Sequence, residues 1–263
     1  RARRRFDVRA ADAVEFEPAA ATAWHVDPDR RSGGARSIRP ESFSPPWSFI
    51  ETWIAKNSFG AVKLAPGTQP PTAWRDVAEW EWISRDRRCR QLVGWFGAAA
   101  LRPGRRSATV LVRRDDADGY RAETFTGNLD ATAPSAERVG RYLVDLDPSM
   151  HAADLTIAAA QQWQLATVGC GGAYLTGDAP VKSALAQSFA VQATLPLRER
   201  GLAKYLRQRG VGSLEIKVRG IDVAPGELRK RLKLVGDNRA VLILTRVERS
   251  RIAVVAERLA DPR

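Results

Sequence analysis

Residues 22–31 read TAWHVDPDRR, and the reading of this stretch decides how the first part of the chain folds. Thr22 to Val26 make a short apolar strand candidate. Asp27-Pro28 follows where such a strand must stop, because proline fixes its backbone angle and has no donor to give a ladder. Working outward, FDVRAADAVEF gives an earlier strand, Phe6 to Ala10, ending in Asp12-Ala13. On the other side, SPPWSFIETWIAKN places apolar residues at 47, 49, 50, 53 and 54, a helical spacing. FGAVKLAPG then returns as a strand stopped by Pro66-Gly67. Strands alternating with helical patterns predict an α/β fold, a parallel sheet wrapped by helices. Ligands of such sheets gather at the carboxyl ends of the strands, and Asp12, Asp27 and the segment 65–67 all fall at those ends.

Two neighbouring motifs compete for one role. SPPW, Ser44 to Trp47, superficially matches the Asn/Asp/Ser-Pro-Pro-aromatic signature of amino-methylating enzymes. The preceding SIRPESF is polar and broken by Pro40, however, and Ser44 as a helix N-cap with proline in the first turn accounts for the same letters. The acceptor-binding role therefore goes to Asp27-Pro28, although a lone Asp-Pro is most simply a turn.

Composition excludes several classes of chemistry. Cys89 and Cys170 lie far apart with no C-x-x-C partner, so neither a disulfide framework nor a thiolate metal site is expected, and a reducing cytoplasm is the expected compartment. Two histidines, His25 and His151, are too few for a zinc cluster and leave little for a Ser-His-Asp arrangement. No apolar run is long enough to span a bilayer. The only methionine is Met150 and the chain starts at Arg1, so a piece of a longer product is expected. Charge is segregated: residues 198–258 hold 16 Lys and Arg against 7 Asp and Glu, nine of the formal +12 net charge. Such a concentration draws polyanions by counterion release from their phosphates.

The middle of the chain reads as more sheet. AEWEWIS and SATVLVR have strand patterns, with a helical RRCRQLVGWFGAAA between them. Trp74, Trp80, Trp82 and Trp95 are taken as core rather than as base-stacking platforms. Residues 131–190 are expected to connect two parts. In them DLTIAAAQQWQLAT is a helix, VGCGGAYLTGD a turn that fits no phosphate-binding motif, and Asp147-Pro148 another turn beside a His151 without an identifiable partner. The tail reads strand SFAVQATLPL, helix RGLAKYLRQRG, strand SLEIKVRG, helix APGELRKRLKL, then strands AVLILTRV and RIAVVAER, a compact α+β module. Lys204, Arg207, Lys217, Arg219, Arg229, Lys230, Arg231 and Lys233 recur across it, and such side chains reach phosphates without reading base identity.

The order strand–ADA, strand–VDPDRR, helix, strand–KLAPG resembles the second half of a class I S-adenosylmethionine-dependent methyltransferase. The match is specifically to bacterial methyltransferase-like proteins with a C-terminal THUMP-like domain, whose tail resembles residues 209–247 here. The resemblance implies a Rossmann-like partial methyltransferase domain over 1–130 and a THUMP-like α+β domain over 191–258. By carry-over, Asp12 and Ala13 would contact the cofactor's adenine, and Asp27 and Pro28 would lie at the methyl-acceptor site. The glycine-rich loop that such enzymes place after their first strand has no counterpart, since no glycine precedes Gly33. Weak or absent binding of S-adenosylmethionine by this chain alone is therefore expected. True THUMP domains bind RNA, so RNA is the expected partner, with DNA as the alternative and no membrane role. Two readings stay open: an RNA-directed methyltransferase, and a non-catalytic nucleic-acid-binding or structural protein built on a degenerate methyltransferase half.

Overall fold

The computed structural model describes residues 8–17, 21–30, 38–114, 119–169 and 171–260. Phe6 and Asp7 of the expected first strand lie outside the described residues, as do Arg31 and Cys170. The chain divides into two compact units, residues 1–81 with 90–105, and residues 82–89 with 106–263.

In the first unit, β1 (Trp24–Val26) runs parallel to β2 (Gly60–Leu64), with Trp24 opposite Gly60 and Val26 opposite Val62. Helix α1 (Trp47–Lys56) connects them and buries Trp47, Ile50, Trp53 and Ile54, a stripe at helical spacing. The parallel pair and its helix are as the sequence predicts. Indoles fill the core: Trp24 lies 5.6 Å from Trp53 and 6.2 Å from Phe96, measured between ring centroids. Gly60 is required by this packing, since a Cβ there would sit 2.1 Å from the Trp24 ring. The strand expected over Phe6 to Ala10 is not formed at residues 8–10, which are irregular.

A second correction concerns RRCRQLVGWFGAAA. Its first nine residues are strand β4 (Arg88–Phe96), which lies between β2 and β3 (Glu79–Arg85) and pairs antiparallel with β2 from Gly60–Phe96 to Leu64–Leu92. No crossover helix forms here. Asp86 and Arg87, both with positive φ (53° and 52°), make the two-residue turn that returns the chain. Trp80 and Trp82 are buried, as the core reading expects, whereas Trp74 and Trp95 are half-buried.

In the second unit, β5 (Arg106–Arg113) and β6 (Tyr120–Gly127) form an antiparallel pair. A seven-stranded sheet follows. Its strands are β7 (Tyr142–Leu146), β8 (Ala166–Val168), β9 (Tyr174–Gly177), β10 (Ala186–Pro196), β11 (Val211–Val218), β12 (Asn238–Val247) and β13 (Ser250–Arg258). Their spatial order is β11-β12-β13-β10-β7-β9-β8. Residues 131–190 thus supply β7 to β9 and two short helices, α2 (Pro148–Ala152) and α3 (Thr156–Gln162), to the same sheet as the tail. The tail itself follows its sequence pattern element by element. Helix α4 (Glu199–Gln208) stops at Gly210 with φ +60°, and α5 (Pro225–Leu232) carries its proline in the first turn. Only β11 and β12 are parallel, joined through α5. Leu202, Leu206, Leu228 and Leu232 of the helices pack on one face of the sheet with Leu214, Leu242, Leu244 and Val255. Phe189, Tyr174, Leu143, Ile243 and Val254 form the core of the other face.

Candidate functional site

Because β1 and β2 are parallel, their carboxyl ends open on the same side, and the residue after β1 stands opposite Lys63 of β2. That residue is Asp27, whose carboxylate is ion-paired with the Lys63 ammonium. Asp27 keeps 48% of its side chain exposed, so one carboxylate edge faces solvent in a fixed position. Pro28, the next residue, is buried. Asp29 then exchanges two backbone hydrogen bonds of 2.8 Å with Ser44. DPD and SPP, rivals in the sequence, are therefore two sides of one structure.

The SPPW segment does start a helix, but Ser44 is not its cap. Pro46 occupies that place, without any side-chain cap bond, and Trp47 is the first helical residue. The Trp47 ring is buried, and its indole N–H donates to Glu51 Oε1 at 3.1 Å. Trp74 donates to the same oxygen at 2.9 Å. The aromatic that would stack on a base in the amino-methylating signature is thus committed to the interior. Asp12 caps a single turn of 3₁₀ helix over Ala13–Glu15, with Oδ1 accepting from the Val14 amide at 3.1 Å. Asp12 is exposed and Ala13 half-buried, which leaves the second carboxylate oxygen open to a hydrogen-bond donor such as an adenine amine.

The eight tail cations fare differently. Arg207 donates to the carbonyl of Leu232 at the end of α5, and Arg229 to that of Leu214 in β11. Arg231 pairs with Glu199 and Lys230 with Glu227. Only Lys204 and Lys233 have no partner among the described residues.

Lys217 and Arg219 converge on a residue without a motif of its own, Asp145, which is 1% exposed in β7. Lys217 Nζ donates to Asp145 Oδ2 at 3.0 Å, and Arg87 lies 3.4 Å from the same oxygen. Arg219 Nη2 is 2.9 Å from Oδ1 yet too misaligned to count as a hydrogen bond there, so that contact is Coulombic. Two residues on, the buried Asp147 caps α2 by accepting from the amide and hydroxyl of Ser149 at 3.0 and 2.9 Å. This Asp-Pro, expected as a turn, is a helix start. His151 also has partners: Arg219 Nη1 donates to Nε2 at 2.8 Å, which requires the proton on Nδ1, facing Thr156 Oγ1 at 3.2 Å. Burial, and then the Arg219 charge, hold its pKa below the ordinary imidazole value. Burial and then Asp147 push the Cys89 thiol up to about 11, which suits a structural cysteine and not a nucleophile. The alternation Asp145-Leu146-Asp147 within an apolar strand is the one signal of this cluster in the sequence, since a carboxylate at an inward position requires partners.

No cluster of three or more potential metal ligands occurs among the described residues, and no helix there is long and apolar enough to cross a membrane. Residues 186–258, from the first residue of β10 to the last of β13, match the THUMP domain-like family model. Two curated relatives, uncharacterized S-adenosylmethionine-dependent methyltransferases of Mycobacterium tuberculosis strains H37Rv and CDC 1551, are each 27% identical over 240 residues. The alignments cover 90% of this chain and 63% of the relatives, so the chain spans about three fifths of their length. A candidate methyltransferase from Porphyromonas gingivalis W83, solved by crystallography, superposes with a TM-score of 0.68 at 16% identity, covering 90% of this chain and 60% of that one. Its likeness is one of fold. The chain is thus methyltransferase-like in sequence and in fold, and it carries a THUMP-like domain over residues 186–258.

Proposed function

We propose that this chain is the acceptor-holding and RNA-presenting portion of an S-adenosylmethionine-dependent methyltransferase. The observation that carries the reading is Asp27, held by Lys63 at the carboxyl end of a parallel strand pair and half open to solvent. A carboxylate fixed in that place accepts from the hydroxyl or amine of an acceptor and aims its lone pair, so that catalysis is by positioning. When bound, the cofactor supplies a methyl group on a sulfonium. Asp12 would accept from its adenine amine, and Pro28, which lacks an N–H and is buried, stiffens the acceptor side. The acceptor's proton passes to solvent past the exposed edge of Asp27. The THUMP-like tail, with its excess of cations, holds the RNA that carries the acceptor.

The test is Asp27→Asn in the full-length protein, assayed with labelled S-adenosylmethionine and cellular RNA. Turnover is expected to fall about a hundredfold, the cost of a misplaced reactant, while cofactor affinity stays unchanged. Wild-type turnover in that variant would end the assignment. A wild-type protein that binds RNA but transfers no methyl to it would instead favour the non-catalytic reading.

A further inference from the structure

The strand edges of the second unit are treated in different ways. At one end of the seven-stranded sheet, β8 is bridged by residues 134–136: Thr167 donates its amide to the Pro134 carbonyl at 2.8 Å and accepts from the Ala136 amide at 2.9 Å. At the other end, β11 carries a register irregularity between Val211 and Ser213. Arg219 donates its amide to Leu244 of β12 at 3.1 Å, so by alternation the Leu214 carbonyl points away from β12, and there the Arg229 guanidinium takes it at 2.9 Å. Bulges and covering of this kind stop an edge from pairing with another chain. No described residue does the same for β6. It is the last strand of its sheet, its eight residues pair with β5 in one unbroken register, and Tyr120, Ala122 and Thr124 are exposed.

Which backbone groups β6 leaves open follows from its ladder. Arg114 donates its amide to the Gly119 carbonyl at 3.2 Å, which makes 114 and 119 a hydrogen-bonded pair, and in an antiparallel ladder such pairs alternate. Arg121, Glu123 and Phe125 therefore bond to β5, whereas the N–H and C=O groups of Tyr120, Ala122 and Thr124 point away from it. A second copy of β6, running antiparallel, presents open groups at the same spacing. Two-fold symmetry requires the pairing to centre on one residue, and charge selects which. Centred on Arg121 or on Glu123, like charges stand opposite each other; centred on Thr124, Glu123 faces Phe125. Centred on Ala122, Arg121 of each copy lies opposite Glu123 of the other, and Tyr120 opposite Thr124. Opposite-charge pairs across strands are favourable and like-charge pairs are not. Glu123 is a fixed target, since the Ser183 hydroxyl and the Ala184 amide donate to its carboxylate at 2.5 and 3.1 Å. Arg121, 46% exposed, already lies 3.5 Å from that carboxylate on its own strand.

We infer that two copies of this chain associate by antiparallel pairing of their β6 edges about Ala122, a two-fold contact in which the backbones of Tyr120 and Thr124, and of Ala122 and Ala122, exchange hydrogen bonds. The inference stands apart from the methyltransferase and RNA readings. Contact along residues 120–124 is small, so the dimer is weak and forms with rising concentration. Sedimentation equilibrium of the full chain, over a series reaching about 500 µM to suit so small an interface, should show a monomer–dimer equilibrium. Ala122→Pro removes an N–H that β5 does not use, so the fold should be kept, as far-UV circular dichroism would show, and the pairing lost. Arg121→Glu turns both cross-strand attractions into repulsions and should weaken association about tenfold; it decides the matter if the proline variant does not fold. Cysteine capture with diamide as the oxidant reads the register. Hydrogen-bonded partners stand about 5.5 Å apart between Cα atoms, within reach of a disulfide, so Ala122→Cys should yield a covalent dimer on a non-reducing gel. Thr124→Cys faces Tyr120 and should yield no more than the chain does with its own Cys89 and Cys170. A chain that stays monomeric throughout the series overturns the inference, as does a dimer that Ala122→Pro and Arg121→Glu both leave intact. Capture at Thr124→Cys and not at Ala122→Cys overturns the register.

Discussion

Replacing Asp145 by asparagine keeps the volume of the side chain and removes one buried negative charge. In the folded protein this carboxylate is 1% exposed and faces Lys217, Arg219 and Arg87, whose side chains are 23%, 33% and 26% exposed. Deleting one partner of a fully buried ion pair costs about 3–5 kcal/mol, because the other charge is left without compensation in a poorly solvated place. Here each stranded cation reaches water with a quarter to a third of its surface, and the new amide still accepts one hydrogen bond. Both effects reduce the cost, to about 2–3 kcal/mol. At about 2–4 °C per kcal/mol for a unit of this size, the melting temperature should fall by roughly 4–12 °C. Urea unfolding followed by tryptophan fluorescence measures the free energy directly, with the slope expected unchanged. Adding Lys217→Met to Asp145→Asn removes one stranded cation and should recover part of the loss, giving a coupling above about 1 kcal/mol in the double-mutant cycle. A loss under about 0.5 kcal/mol for Asp145→Asn, the scale of an ordinary surface change, would refute the reasoning, as would strict additivity of the two substitutions.

Two further outcomes follow from the same interior. His151 is held neutral, with its folded pKa below the ordinary 6.5, so its contribution is fully present above about pH 6.5 and is lost as pH falls from there toward the folded value. Unfolding free energies measured at about pH 7.5 and 5.5 should converge between wild type and His151→Gln on acidification; parallel curves would remove the histidine from the account. Gly212→Ala places a Cβ 1.8 Å from the Gly236 carbonyl oxygen and should cost more than about 3 kcal/mol in denaturant unfolding, at or beyond the usual overpacking range. Gly201→Ala, on the open face of α4 with nothing within 4 Å, should instead stabilise by about 0.5–1 kcal/mol. Equal effects at the two glycines would show that the close backbone approach is not what requires Gly212.

Where local pattern and tertiary environment agree, the sequence can be read directly. Every element of the tail appears where its periodicity puts it, with Pro225 and Gly210 marking a helix start and a helix end. β4 reads as a helix for a specific reason: Cys89, Leu92, Val93 and Phe96 stand at i, i+3, i+4 and i+7, the template of an amphipathic helix. Hydrogen bonding to β2 overrides that template, and the turn that allows it, Asp86-Arg87, lacks the Asn-Gly or Asp-Gly lettering that would announce two positive φ angles. The Asp145 cluster is out of reach of local pattern because its partners are 58 and 72 residues away along the chain. Asp27 is legible from its place after a strand, whereas its pairing with Lys63 needs the register of β1 on β2.

The tail's charge shows why counting residues and finding a binding surface are different problems. An arginine bonded to a carbonyl, as Arg207 and Arg229 are, keeps its full charge and still adds to the long-range field that steers a polyanion. One of its donors is committed to that carbonyl, however, and its position is fixed by the fold, so it cannot move to meet a phosphate as a free side chain does. Arg231 and Lys230 lose most of their field as well, because Glu199 and Glu227 sit against them. The excess over residues 198–258 therefore predicts attraction, while contact falls to the cations that the fold leaves unclaimed. Four of those, Arg198, Lys204, Arg209 and Arg239, are scattered over 42 residues of sequence, yet they line two cavities that have Tyr205 in common.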